Sequence, residues 1–154
     1  SFGRLAEILR GVAAGQRGSA PASIVILSGD VHYAYLAEAE FPGQPVESRV
    51  YQAVCSPFRH SLDPPLELAN RFAFRRAAER FGALLARSVR LPRPPLAWQM
   101  NRGPYFENEV ATLELRAREA HLRLDRTPRR ELRLDCVADD RLTRSQAGPL
   151  RPPS

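Results

Sequence analysis

The sequence contains no lysine, so all 23 of its basic residues are arginine. Together with 14 prolines in 154 residues, this composition is typical of a GC-rich coding bias, and the formal net charge of +6 is therefore a weak indication of an anionic partner. Hydrophobic residues make up 44% of the chain, which excludes a wholly disordered protein. The length allows about one domain.

Long hydrophobic runs and paired cysteines are also missing. No stretch approaches the roughly 18 apolar residues that a membrane-spanning helix needs. Cys55 and Cys136 stand far apart with no CxxC pair, so neither a disulfide framework nor a zinc ribbon is indicated. Charges interrupt the apolar positions near residue 1, which excludes a secretory signal peptide there. Cytoplasmic and exported locations both agree with these features.

Hydrophobic periodicity predicts a mixed α/β chain. Apolar residues at positions 2, 5, 8, 9 and 12 predict a helix, and the apolar run at 23–27 predicts a buried strand. Alternating residues predict a hairpin over 108–125 with one buried face. The residues expected on that face are Ala111, Leu113 and Leu115, followed by Ala120, Leu122 and Leu124. Further strands are predicted at 33–41, 48–55 and 96–100, and an edge strand at Leu132, Leu134 and Cys136.

A long helix is predicted between Asp63 and Pro92, because Asp63 followed by two prolines is a helix-start signature. Its arginines could grip nucleic-acid phosphates, but Glu79 interrupts the stripe and Glu67 is spaced to pair with Arg71. We therefore interpret this helix as a solvated face and do not expect nucleic-acid binding. The six arginines are Arg71, Arg75, Arg76, Arg80, Arg87 and Arg90. We expect a domain over residues 1–137 and a disordered tail over 138–154.

The segment Gly29-Asp30-Val31-His32 directly follows the predicted buried strand at 23–27. Polar side chains at the carboxyl end of a buried strand occupy the place where α/β folds commonly bind ligands. A carboxylate and an imidazole two residues apart are suitable ligands for iron, manganese or zinc. The alternative interpretation is structural, with Asp30 capping a turn and His32 serving as an ordinary strand histidine.

Three segments resemble the C-terminal part of alkaline phosphatase D-type (PhoD-like) metallophosphoesterases of the calcineurin-like superfamily. They are residues 24–35, 50–58 and 103–113, and the similarity covers most of residues 1–127. The resemblance implies a four-layer α/β/β/α sandwich that hydrolyses phosphate mono- or diesters. It also implies two or more divalent or trivalent metal ions, drawn from iron, calcium, manganese and zinc.

In that family the strand ending in GDxH corresponds to the late GHxH metal-binding motif of the superfamily. The resemblance therefore implies that Asp30 and His32 are metal ligands. It implies for His32 a catalytic role as a ligand or as a proton donor to the leaving group. Asp30 departs from the first histidine of the superfamily motif, although aspartate is usual at this position in PhoD-like proteins.

The superfamily's early metal ligands lie in DxH, GDxxD and GNH motifs, and none of these precedes Gly29 in this chain. Asp30 and His32 alone cannot hold two ions, because a catalytic site needs several protein ligands for each metal. We therefore expect the chain to be a C-terminal fragment that is inactive without the N-terminal part of the same domain. The expected ligand is a phosphate ester. The alternative is a non-catalytic, arginine-rich binding or interaction domain.

Weaker candidates surround this motif. Arg59 and His60 lie on a loop after the strand at 48–55, where Arg59 could contact a phosphate. Tyr33 could border the same cleft as His32. Three other residues are interpreted as structural: Cys55 as a buried thiol, Asn108 as a turn residue and His121 as a solvated strand residue.

Overall fold

The computed structural model of the chain describes residues 2–29, 33–56, 96–128 and 133–143. One helix and seven strands lie within these ranges, so the described part of the chain is mixed α/β. They are α1 Phe2–Ala13, β1 Ser23–Ser28, β2 Ala34–Glu40, β3 Arg49–Val54, β4 Ala97–Tyr105, β5 Asn108–Arg116, β6 Glu119–Thr127 and β7 Asp135–Arg141. The helix predicted between Asp63 and Pro92 lies outside the described residues.

Four strands form the first sheet, in the order β1-β3-β2-β4. β1 pairs in parallel with β3, and Ser28 at the end of β1 lies opposite Val54 at the end of β3. β2 pairs antiparallel with both β3 and β4. Because β1 and β3 run in the same direction, their carboxyl ends meet at one edge of the sheet.

The second sheet consists of β5, β6 and β7 in that order, all antiparallel. A turn joins β5 to β6 at Ala117, whose φ of 51° is in the left-handed region. Leu113 of β5 lies opposite Leu122 of β6, as the alternating pattern predicts. The hairpin prediction is confirmed, and β7 adds a third strand along the other side of β6.

The two sheets pack face to face around a shared apolar cluster. Leu36 and Tyr51 of the first sheet, with Leu122 and Leu124 of the second, are at most 2% exposed. The cluster also contains Ala53, Ala120, Ala138 and Leu142. Burial of these side chains is the principal force that holds the sheets together.

Helix α1 covers the opposite face of the first sheet. Its Ala6 and Ala13 are buried in one cluster with Ala39, Phe41 and Val50. Successive residues of a strand point to opposite faces, so Val50 faces the helix while the next residue faces the second sheet. The layer order among the described residues is therefore helix, first sheet and second sheet. The fourth layer of the expected α/β/β/α sandwich is not among them.

Polar contacts also join the two sheets at the rim of the core. Arg102 of β4 binds Asp140 of β7 through two hydrogen bonds of 2.8 and 2.9 Å. The Tyr105 hydroxyl donates to the Val137 carbonyl at 3.1 Å. These contacts tie the rims of the two sheets together, and the ion pair adds little net stability because it is accessible to solvent.

β1 is less buried than its apolar sequence predicts. Its residues are half-buried or exposed, and Leu27 is 64% exposed. The reason is non-local: β1 lies at the edge of the first sheet, with no strand among the described residues on its free side. An apolar run predicts burial only when neighbouring strands are present on both sides.

The predicted buried face of the hairpin is correct for β6 and wrong for much of β5. Ala120, Leu122 and Leu124 are buried, whereas Ala111 is exposed and Leu115 is 67% exposed. β5 is the outer strand of the second sheet, and the core is formed mainly by β6 and β7. Residues that pair across β5 and β6 therefore point to the same face of the sheet, but those on β5 are less buried than those on β6.

The last strand differs from the alternating run expected at Leu132, Leu134 and Cys136. Leu134 and Cys136 are exposed, and β7 instead buries Ala138. The strand continues through Arg141, past the predicted start of a tail at residue 138, and Leu142 is buried after it. Acidic residues disfavour strands locally, but here Asp140 is held by its bond to Arg102. Residues 144–154 lie outside the described residues.

Candidate functional site

The carboxyl ends of β1 and β3 approach each other closely at Gly29. The Cys55 amide donates to the Ser28 carbonyl at 3.2 Å. A Cβ atom at Gly29 would lie 3.3 Å from the Cys55 carbonyl oxygen and 3.6 Å from Ser56 Cβ. The absence of a side chain at Gly29 thus lets the chain leave β1 directly against the end of β3.

The predicted metal ligands Asp30 and His32 lie outside the described residues, in the gap between Gly29 and Tyr33. Both flanking residues are described. Gly29 borders the end of β3, and Tyr33 immediately precedes β2. The sequence motif therefore joins the ends of two strands in the first sheet.

Tyr33 belongs to an aromatic cluster beside this gap. Its ring stacks on Tyr35 with 5.7 Å between centroids and lies 5.6 Å from the ring of Phe106. Phe106 is 2% exposed and occupies the corner between β4 and β5. Burial, with the neighbouring Tyr33 second, raises the pKa of Tyr35 above its usual range, so this phenol stays protonated near neutral pH.

The same corner contains a buried carboxylate, that of Glu109 in β5. Glu109 is 3% exposed, and neither of its carboxylate oxygens has a hydrogen-bond partner. It shares a strand face with Leu113, which packs against the cluster between the sheets. The Glu109 side chain is therefore buried on the strand face that also carries Leu113.

The charges around Glu109 do not compensate for its burial. Burial raises the pKa of Glu109 to about 8, and the charge of Glu107 raises it as well. The Glu107 backbone and the charge of the Arg126 guanidinium oppose this shift. Arg126 lies opposite Glu109 in the strand register and binds Glu107 at 3.6 Å, while its own Nε is buried without a partner.

The Cys55 thiol links this carboxylate to the strand ends. Burial raises the pKa of the Cys55 thiol, the Glu109 charge raises it too, and the Ala111 backbone lowers it. The Cys55 backbone contacts Ser28 and Gly29 at the edge of the sheet where β1 and β3 end. Cys55 thus lies at the end of β3 next to Gly29, the last described residue before the gap that contains Asp30 and His32.

A cation is one class of ligand that the Glu109 carboxylate can bind. A carboxylate is a ligand for hard and borderline metal ions, and two unpartnered oxygens leave Glu109 free to bind one. Within residues 2–29, 33–56, 96–128 and 133–143, no group of three or more His, Cys, Asp or Glu side chains is placed to hold a metal. Any centre here therefore depends on the residues in the gap.

Sequence reasoning missed Glu109. In the segment 106–113 it resembles an ordinary outward polar residue of a strand, but it occupies the same face as Ala111 and Leu113. Extending that alternation back by two positions places an acidic residue on the inward face. An acid at an inward position is uncommon without a partner, and this is the signal that could have identified it.

The other candidates do not join this corner. His121 lies on the outer face of β6, where its Nε2 is 2.6 Å from Asp139, so its interpretation as a solvated strand residue is confirmed. A surface pocket of about 220 Å³ near the β5–β6 turn is lined by paired charges, such as Arg116 with Glu114 at 3.3 Å. Arg59, His60 and the arginines between Asp63 and Pro92 lie outside the described residues.

No protein-family model, curated protein or solved structure matches this chain. Among the described residues, no helix has the length and apolar character needed to cross a membrane.

The two cysteines should differ in reactivity. We expect Cys136, which is exposed, to be alkylated by iodoacetamide at pH 8 at least several-fold faster than Cys55. The raised pKa and the partial burial of Cys55 both lower its thiolate fraction and access. Mass spectrometry of timed digests measures the two rates in one sample. Equal rates in the folded chain would contradict this description of the corner.

Glu109 should make the stability of the metal-free chain depend on pH. The folded state retains a proton that the unfolded state releases, so stability falls as the pH rises from about 4.5 to about 8. We expect Glu109→Gln in EDTA to raise the free energy of unfolding by on the order of 3 kcal/mol at pH 7, with little change near pH 4.

Urea denaturation at several pH values tests this expectation. The matched control is Glu114→Gln, which removes an exposed carboxylate from the same strand and should have a small effect at every pH. If the free energies of unfolding of wild type and Glu109→Gln varied with pH in the same way, burial would not raise the pKa of Glu109.

Proposed function

We propose that the chain is the C-terminal part of a metal-dependent phosphoesterase that hydrolyses phosphate mono- or diesters. Asp30 and His32 are its contribution to the metal centre. The observation that supports this most is the close approach of the carboxyl ends of β1 and β3, where a Cβ atom at Gly29 would lie 3.3 Å from the Cys55 carbonyl oxygen. The Gly29-Asp30-Val31-His32 motif therefore begins at a sheet edge of the kind where α/β folds commonly bind ligands.

The layer order supports the same proposal at the level of fold. The four-layer α/β/β/α sandwich begins with a helical layer against two packed sheets, and α1 with the two sheets agrees with three of those layers. The free side of β1, with Leu27 64% exposed, suits further strands from the N-terminal part of the domain.

In this mechanism the chain's residues bind, orient and shield the reacting groups. When bound, the metal ions supply a nucleophilic water at neutral pH and neutralise charge that develops on the phosphoryl oxygens. Asp30 and His32 would supply two of the protein ligands, and the neutral imidazole required for ligation would leave the other ring nitrogen of His32 to orient the ring through a hydrogen bond. In the alternative role, His32 donates a proton to the leaving alcohol oxygen.

Hydrolysis assays on the complete gene product that contains these 154 residues test the proposal. We expect cleavage of p-nitrophenyl phosphate or bis(p-nitrophenyl) phosphate that EDTA abolishes. Addition of iron, calcium, manganese or zinc ions, singly and in pairs, should restore it. A folded, metal-loaded protein that cleaves neither ester would overturn the proposed function.

A further inference from the structure

We infer that Arg126 changes its partner with pH: it binds Glu107 while Glu109 is protonated, and it binds Glu109 once that carboxyl group loses its proton. The inference is independent of the proposed metal centre. It assigns a conformational role to the buried carboxylate of β5, which the proposed mechanism does not use.

The first argument is the register of the hairpin formed by β5 and β6. Glu109 of β5 lies directly opposite Arg126 of β6, so the two side chains leave the same face of the second sheet, with Cβ atoms about 4.5–5.5 Å apart. Glu107 precedes Glu109 by two positions, and its carboxylate lies 3.6 Å from the Arg126 guanidinium. A change in the side-chain rotamer of Arg126 is therefore enough to exchange one carboxylate for the other.

The second argument is that both opposed side chains have buried polar atoms without a partner. Glu109 is 3% exposed, and neither of its carboxylate oxygens accepts a hydrogen bond. On Arg126 the Nε atom is buried and donates no hydrogen bond. Buried polar groups in folded proteins are almost always paired. A donor opposite two acceptors therefore indicates a hydrogen bond that forms in the other protonation state.

The third argument is the difference between the two partners of Arg126. Its contact with Glu107 is long for a hydrogen bond and accessible to solvent, with side chains 38% and 23% exposed, so loss of this contact costs little. An ionised Glu109 is buried, and a buried charge without a partner is costly. Burial raises the pKa of Glu109 to about 8 although the charge of Arg126 lowers it, so this cost first arises just above neutral pH.

Two other ionisable groups face these residues from neighbouring strands. Cys55, at the end of β3, interacts with the charge of Glu109, and burial raises the pKa of its thiol. Asp135 of β7 lies opposite Arg126 on the other side of β6, and it binds Arg133 at 3.2 Å. Neither Cys55 nor Asp135 can supply the positive charge that an ionised Glu109 requires.

The exchange connects the protonation of Glu109 to the corner between β4 and β5. Glu107 follows Phe106, whose ring lies 5.6 Å from that of Tyr33. While Arg126 binds Glu107, this corner is attached to β6. When Arg126 binds Glu109 instead, that attachment is released and the contact between β5 and β6 becomes stronger. A rise in pH therefore loosens the corner against which Tyr33 packs.

The test is carbon-detected NMR of the Arg126 Cδ–Nε pair and of the Glu109 carboxyl carbon over a pH titration of the chain. We expect both signals to shift with one midpoint at about 8, because a new carboxylate partner changes the shielding of Nε. Arg126→Gln should raise the Glu109 midpoint by about one pH unit or more, since it removes a nearby positive charge.

Two carboxylate variants separate the partners. Glu109→Gln should abolish the pH-dependent shift of the Arg126 signal, whereas Glu107→Gln should retain it. Glu114→Gln is the matched control, because it removes an exposed carboxylate of β5 that pairs with Arg116, and it should leave both midpoints unchanged. Thermal unfolding shows that each variant is folded before the titrations are compared.

Two results would overturn the inference. If Glu109 titrates while the Arg126 signal stays constant, the guanidinium does not change partners. If the Arg126 signal still shifts in Glu109→Gln, another group controls it. Neither result bears on the proposed function, which the hydrolysis assay tests separately.

Discussion

Replacement of His32 by alanine is expected to lower the phosphoesterase activity of the complete gene product by at least about 100-fold and to reduce its metal content. Loss of a residue that only supports a ligand typically costs 10- to 100-fold, and loss of the ligand itself should cost more. His121 is not a substitute for this imidazole, because it lies on the outer face of β6 and pairs with Asp139. Rates on both nitrophenyl esters and metal analysis by mass spectrometry measure the two effects.

His121→Ala is the matched control, since it removes a histidine from the same domain at a solvent-accessible strand position. We expect its activity and metal content to stay within about two-fold of wild type, because changes at exposed ion pairs are small. If His32→Ala retained both the wild-type rate and the wild-type metal content, His32 would not be a ligand or a proton donor.

Replacement of Gly103 by alanine is expected to destabilise the chain by about 3 kcal/mol or more. Gly103 has a φ of +89°, where a side chain costs roughly 1–2 kcal/mol. A Cβ atom there would also lie 2.6 Å from the Ala34 carbonyl oxygen and 3.1 Å from the Tyr35 Cα. Both of these atoms belong to the backbone at the start of β2. The clash can therefore be relieved only by moving β2 and β4 apart.

Gly43→Ala separates the cost of a positive φ from the cost of the steric clash. Gly43 also has a positive φ, of +73°, but a Cβ atom there would meet no other atom within 4 Å. Its substitution should therefore cost only about 1–2 kcal/mol. Urea denaturation followed by the fluorescence of Trp98, the single tryptophan, reports on β4 itself. Equal costs for the two variants would show that β4 does not approach β2 as closely as described.

Local patterns predicted the strands well because most of them have a clear two-residue alternation. β6 is the clearest case, since Leu122 and Leu124 are buried and the intervening Arg123 is exposed. The end of β7 could not be predicted in this way. Its acidic residues are held by partners distant in sequence, such as Arg102, which local propensity does not include.

The burial of β1 depends on the rest of the fold in the same way. Its apolar residues predict a strand with neighbours on both sides, but the described residues supply only β3. Leu27 is therefore exposed although its sequence environment is that of a core strand. Whether an apolar strand is central or at the edge depends on which strands flank it in the sheet. A short run of residues carries no information about those strands.

Sequence patterns identified the Gly29-Asp30-Val31-His32 motif but not the buried carboxylate of Glu109. Asp30 and His32 are noticeable because polar residues follow an apolar strand without a break. Glu109 is inconspicuous in the sequence, and its interest comes from burial and from the lack of a partner, which are properties of the packed sheets. Whether Asp30 and His32 bind a metal ion stays a prediction.

The central claim is that these residues are the rear part of a metal-dependent phosphoesterase domain. Sequencing the DNA immediately upstream of the Ser1 codon tests it most directly. The claim predicts that the reading frame stays open and encodes DxH, GDxxD and GNH motifs in that order. A start codon directly before Ser1, or an open frame without these motifs, would contradict it and would favour a non-catalytic arginine-rich domain.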